Sequence, residues 1–211
     1  MIPVKELLVF ALAAFGLVIT PGPNMIYLVS RVVTQGRWAG FISLLGVVAG
    51  FLIHIMLVSF GLTAVLLTVP YAYLILKSLG VCYLLYLALQ AILPNSSGLF
   101  ELKQGLANDT PRKLFSMGFL TSMLNPKIAV FYLSFFPQFI NVAYGSILSQ
   151  SLELGFTQVF ISFSVNFLII LSASRMTSWF ARNPFWIKIQ KWFMASVLAG
   201  LAIKMAFEKA K

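Results

Sequence analysis

The chain has one cysteine, one histidine and five acidic residues among 211, and only 9% of its residues are charged. A lone cysteine, Cys82, excludes an intrachain disulfide and any redox chemistry that needs a thiol pair, and reads as a small packing residue. With one histidine beside it, no Cys/His metal spacing can be written. No Walker sequence and no G-x-S-x-G motif is present, so no soluble catalytic constellation is in view. An enzyme, a resident metal and a cofactor are therefore not expected.

In place of charge there is apolar surface. The chain is 60% hydrophobic, with a mean hydropathy of +0.95, more than one soluble core could hide. It reads as an integral membrane protein of one domain, residues 1–211, with the lipid bilayer as its solvent. The formal charge of +10 does not imply nucleic acid, because the basic residues fall between apolar runs rather than on one stripe. The N-terminal run from Leu7 to Val33 exceeds a signal-peptide core, despite the cleavage-like Ala11-Leu12-Ala13, and is expected to stay in the mature protein.

About 20 apolar residues cross a bilayer. Six stretches qualify: Leu7–Ser30, Ala39–Leu67, Tyr71–Leu93, Leu114–Ile140, Leu152–Ser174 and Phe185–Phe207. The polar interval from Pro94 to Lys113 separates two halves of three segments, about 1–93 and 114–211. The first segment of each half is interrupted by proline: Thr20-Pro21-Gly22-Pro23-Asn24 in one, Asn125-Pro126-Lys127 in the other. Equivalent segments three crossings apart must enter from opposite sides, so the pattern predicts an all-α membrane protein of six transmembrane helices built as two inverted three-helix repeats, an architecture common among secondary transporters. Two unrelated proline kinks are the alternative.

Arg31, Arg37, Lys103, Arg112, Lys113, Arg175, Arg182, Lys188 and Lys191 fall on one side of this arrangement; Lys5, Lys204, Lys209 and Lys211 fall on the other. The richer side is expected to be cytoplasmic. Six crossings would put both termini outside; a first segment that dips without crossing would leave five.

Pro21 and Pro23 deprive the carbonyls of Leu17 and Ile19 of their usual donors, and Pro126 does the same to Ser122. Such groups are tolerated in a membrane only inside protein or beside a wet cavity. Gly22-Pro23 and Asn125-Pro126 each read as an N-cap with proline at the first helical position, so each break would start a half-helix whose positive end suits an anion. Lys127 adds a cation, while Thr20, Asn24 and the deprived carbonyls add acceptors. A zwitterion fits that mixture. Substrate binding is thus expected at Thr20, Pro21, Gly22, Pro23, Asn24, Asn125, Pro126 and Lys127.

All five acidic residues, Glu6, Glu101, Asp109, Glu153 and Glu208, lie near segment ends or in loops, so no carboxylate is placed for a mid-membrane relay. Lys127 and His54 are the deep ionisable residues, functional candidates by default. For Lys127 the alternative is snorkelling or a structural hydrogen bond to a deprived carbonyl. His54 is a candidate for proton handling or an imidazole packed against a neighbouring helix. Gly46-x-x-x-Gly50 permits close helix approach, within the bundle or between copies in a homo-oligomer.

The stretches Thr20–Gly50, Leu76–Gln90 and Gly118–Ile140 carry a resemblance: with their P-G-P-N and N-P-K motifs the chain resembles the lysine exporter and homoserine/threonine exporter (LysE/RhtB) family. The resemblance implies a multi-pass exporter of amino acids or their derivatives in the bacterial inner membrane, coupled to an ion gradient, H⁺ or Na⁺. The chain departs from the family pattern at Phe51, where many members carry an acid three residues before the histidine, and at Ala88, Gln90 and Ala195. Without that acid, a neutral or hydrophobic amino acid is favoured over lysine or arginine. A non-transporting assembly subunit and an exporter of another small solute are the alternatives. A heavy-metal exporter would want soft or acidic ligands that the segments lack.

Overall fold

The computed structural model describes residues 2–20, 22–68 and 109–182 continuously, and scattered positions between 75 and 93 and between 185 and 207. Pro21, Gln90 and the greater part of the polar interval, 94–108, lie outside the described residues. Every regular element among the described residues is helical. α1 is Val4–Ile19, α2 Pro23–Thr68, α3 Pro111–Met123, α4 Pro126–Val130 and α5 Ile147–Arg182.

Each boundary has a local cause. α1 stops at Thr20, whose extended backbone (φ −70°, ψ 119°) is what a following proline demands. α2 starts on Pro23, and the Gly22 carbonyl accepts its first helical bond from the Ile26 amide at 3.0 Å. Thr110 caps α3 and Asn125 caps α4 through their side-chain oxygens, each followed by proline, whose missing N–H needs no partner there.

α2 is two antiparallel arms, 23–35 and 37–68. Its turning point is Gly36 (φ 85°, ψ 173°), a left-handed conformation that favours glycine. The Ser43 hydroxyl lies 3.1 Å from the Tyr27 hydroxyl, whereas in a straight helix that separation would span about 24 Å. The chain has doubled back. In the second half Gly145 (φ 101°) makes the corresponding turn before α5. Both halves therefore run helix, Asn/Pro break, short helical segment, positive-φ glycine, long helix.

Glycines set how closely the long helices pack. A Cβ on Gly46 would fall on the Phe115 carbonyl and one on Gly118 on the Ser43 carbonyl, while one on Gly50 would lie 2.6 Å from Ser122 Cβ. The second arm of α2 and α3 thus touch backbone to backbone, which commits Gly46-x-x-x-Gly50 to packing inside the bundle. α1 packs its Phe10 ring on Phe131, Phe136 and Phe139 at centroid distances of 5.7, 5.8 and 5.2 Å, bringing the first half onto the second. That aromatic wall follows α4 as a π-helical turn, Phe131–Phe135, and a 3₁₀ stretch, Phe136–Phe139.

Among the described residues two helices are long and apolar enough to cross a membrane, Pro23–Gly61 and Ile147–Ala173; the pair Pro111–Met123 and Lys127–Phe139, bent by 48°, would make a third. The first of these includes the turn at Gly36. Large apolar side chains such as Leu12, Leu52, Phe60, Phe156 and Phe160 point outward, as a surface solvated by lipid requires.

Candidate functional site

The two proline breaks meet. Asn125 donates from Nδ2 to Asn24 Oδ1 at 3.0 Å, and its own Oδ1 accepts from the Lys127 amide at 3.1 Å. Asn24 is 7% exposed, Asn125 1% and Lys127 7%. The Lys127 side chain crosses to the other break, where Nζ donates to the carbonyls of Thr20 at 2.7 Å and Leu17 at 3.1 Å.

Those carbonyls belong to the last turn of α1, the negative end of its dipole, so a buried ammonium finds there both acceptors and a favourable field. Gly22 makes room: a Cβ on it would lie 2.9 Å from Lys127 Nζ and 3.0 Å from Cε. The lysine is therefore held as a cap on α1, the structural role weighed against substrate binding. Leu17 is one of the two carbonyls that the proline spacing marks as deprived; Thr20, rather than Ile19, supplies the second bond. Thr20 turns its own hydroxyl back to the Gly16 carbonyl at 2.8 Å.

A second contact runs the other way. His54, from the first half, places Nε2 3.4 Å from the Ser122 carbonyl, which the loss of an amide at Pro126 does not leave bare, because it accepts from the Asn125 amide at 3.2 Å. A carbonyl only accepts, so the contact is a hydrogen bond in the tautomer that carries the proton on Nε2. The imidazole stacks on Tyr132 with centroids 5.5 Å apart and planes 8° from parallel, and the Tyr132 hydroxyl donates to Gln158 Oε1 at 2.7 Å. Each half thus sends a side chain to a carbonyl at the other's break, Lys127 as a cap and His54 as a longer, additional contact.

One electrostatic expectation narrows. At the second break the amides of Lys127, Ile128 and Ala129 are all taken by Asn125, the first by its side chain and the others by its carbonyl at 3.1 and 3.0 Å. The vacant donor lies at the first break: Asn24 Nδ2 is buried with no partner among the described residues. Ser122 Oγ and Gln158 Nε2 are likewise buried and unpartnered.

The described carboxylates are engaged elsewhere. Glu6 accepts from the Tyr144 hydroxyl at 2.9 Å and Glu153 from the Ile2 amide at 3.3 Å. Asp109 binds Arg31, Gln35 and Lys113, tying the first arm of α2 to the start of α3. The hydrogen bonds from Lys113 and then Gln35 hold its carboxyl below the usual range; burial opposes them and the Arg31 charge assists.

Thr20, Gly22, Asn24, Asn125 and Lys127 are thus brought together, with Pro23 and Pro126 starting the adjoining helices and His54 reaching the second break from behind. Sequence reasoning missed Tyr132 and the buried polar edge of α5. Ser151, Gln158, Ser162 and Asn166 are all buried, at intervals of seven, four and four residues. That helical periodicity of polar residues inside an apolar run was the available signal.

The chain is similar to proteins named leucine efflux protein: that of Salmonella typhimurium (strain LT2) is 27% identical over 200 residues, covering 93% of this chain and 92% of the relative. That of Klebsiella pneumoniae is 28% identical over 207 residues, covering 96% and 95%. No solved structure matches it. The family model described as LysE type translocator matches residues 15–209, and the chain belongs to that family of integral membrane proteins.

Proposed function

We propose that the protein is a secondary transporter that exports a neutral or hydrophobic amino acid, or a close derivative, across the bacterial inner membrane. The observation that carries this reading is the meeting of the two proline breaks around a buried ammonium, paired asparagines and main-chain carbonyls, with each described carboxylate engaged elsewhere. Such a site offers acceptors to an ammonium and donors to a carboxylate, and no anion to a basic side chain. The leucine efflux proteins that match nearly the whole chain support the same substrate class.

The repeated order of elements is consistent with two inverted three-helix repeats and six crossings, and the Lys/Arg distribution supports both termini outside and the 94–113 interval cytoplasmic. The breaks would then lie at the repeat interface, the usual place for a transporter's site. His54, which stacks on Tyr132 and approaches the Ser122 carbonyl through Nε2, would pass the proton if H⁺ is the coupling ion.

The test is direct. Cells with and without the protein are loaded with single amino acids as dipeptides, and efflux is followed. Faster release of leucine-like amino acids than of lysine supports the reading; identical release in both strains for every amino acid overturns it.

A further inference from the structure

The Leu17 and Thr20 carbonyls are held by a group that can leave. Lys127 Nζ reaches them from the other half of the molecule across Gly22, and its tether is a flexible four-carbon stem rather than backbone. Joined to Lys127 through Asn125 is a second buried group, Asn24, whose Nδ2 donor has no partner among the described residues. A buried donor left unpaired is costly, and an acceptor brought by a ligand would remove that cost.

We propose that the carbonyls of Leu17 and Thr20 form a binding site for an alkylammonium group, filled by Lys127 in the resting protein and by the α-ammonium of the substrate during transport. The second clause rests on the amino-acid exporter reading; the first does not.

The charges balance at each step. In the resting protein one buried ammonium faces two carbonyls at the negative end of α1. An arriving zwitterion places its ammonium on those carbonyls, and the displaced Lys127 ammonium pairs with the incoming carboxylate. The second carboxylate oxygen accepts from Asn24 Nδ2. The buried net charge is unchanged, and neither ammonium is left without acceptors, which would otherwise be prohibitive in this setting. A simple amine cannot make the exchange, because nothing would receive the lysine. A simple carboxylate cannot either, because the carbonyls would be abandoned. Recognition would therefore require both ends of an amino acid.

The experiment restores the deleted group. Lys127→Ala removes three methylenes and the ammonium, the atoms of n-propylammonium. Purified wild type and Lys127→Ala are melted with n-propylammonium chloride, with 1-propanol as the neutral control. A dose-dependent rise of about 2–5 °C for Lys127→Ala with the amine alone, and none for wild type, is expected. Should the alanine cavity prevent folding, Lys127→Met keeps the stem packed through the Cε position, and ammonium itself, as ammonium chloride, then replaces propylammonium. Absence of a selective amine effect in the folded variant overturns the proposal.

Binding of L-leucine and isoamylammonium to wild type tests the exchange, with the amine expected to bind at least about tenfold more weakly. Equal binding overturns the exchange. If wild type moves no amino acid yet Lys127→Ala gains amine stabilisation, the ammonium site stands and the exporter reading falls. If it transports but the variant gains nothing, the site falls and the exporter reading stands.

Discussion

Asn125 Nδ2 donates to Asn24 Oδ1 at 3.0 Å, joining two helix breaks that lie 101 residues apart in the chain. The same Asn125 caps the helix that begins at Pro126. One side chain therefore terminates a local motif and closes a long-range contact. Asn24→Ala should lose the contact, whereas Asn125→Ala should lose both the contact and a cap worth about 1 kcal/mol. A double-mutant cycle read by thermal or denaturant unfolding is expected to show coupling of about 0.5–3 kcal/mol. Strictly additive losses would mean that the breaks are held together by something else.

Gly46 and Gly61 lie on the same arm of α2 with opposite surroundings. A Cβ on Gly46 meets the Phe115 backbone, while nothing lies within 4 Å of one on Gly61. Gly46→Ala is expected to destabilise by about 1–3 kcal/mol through forced helix separation; Gly61→Ala is expected to be neutral or to stabilise by about 0.4–1 kcal/mol. Unfolding of the two variants side by side checks the order.

For Asp109 the prediction concerns acid. Its folded-state acidity is raised by Lys113, Gln35 and Arg31, so the carboxylate stabilises the fold above the ordinary aspartate range, near pH 4, and loses that contribution as pH falls through its lower folded value. Asp109→Asn should melt below wild type at neutral pH, with the difference closing as pH drops below about 4. A pH-independent difference would show that shape, rather than charge, matters there.

His54 separates packing from proton handling. His54→Phe keeps an aromatic ring against Tyr132 but removes the donor to Ser122; at 3.4 Å that bond is long, so the stability loss should fall near or below about 0.5 kcal/mol. If H⁺ couples through this imidazole, the variant loses uptake driven by a pH gradient in liposomes while retaining exchange of labelled for unlabelled substrate. Loss of exchange and gradient-driven transport in equal measure would assign His54 to the site's structure.

The breaks were legible because proline and asparagine act locally: Pro23 and Pro126 mark helix starts whatever surrounds them, and the Leu17 carbonyl follows from counting back from Pro21. The Gly46–Gly50 spacing likewise indicated close approach, though not to which helix. Three features were out of reach for physical reasons. Whether Lys127 would face a ligand or a carbonyl depends on where α1 ends in space. The internal saturation of the second helix start depends on the Asn125 rotamer. The Tyr132–Gln158 bond joins residues on different elements, with nothing in their spacing to pair them. The turn at Gly36 sits in the basic interval between the first two apolar stretches, Leu7–Ser30 and Ala39–Leu67, where a connection was expected, but only the Tyr27–Ser43 contact shows the arms folded together.

The most direct measurement is transport of leucine by the purified protein in liposomes under imposed pH and Na⁺ gradients, with Lys127→Met alongside. The account predicts leucine movement by wild type and a weakening of apparent affinity in the variant corresponding to about 1.5–3 kcal/mol, the range of a charged hydrogen bond. No amino-acid movement by wild type under either gradient would contradict amino-acid export, and unchanged affinity in a folded Lys127→Met would contradict the site.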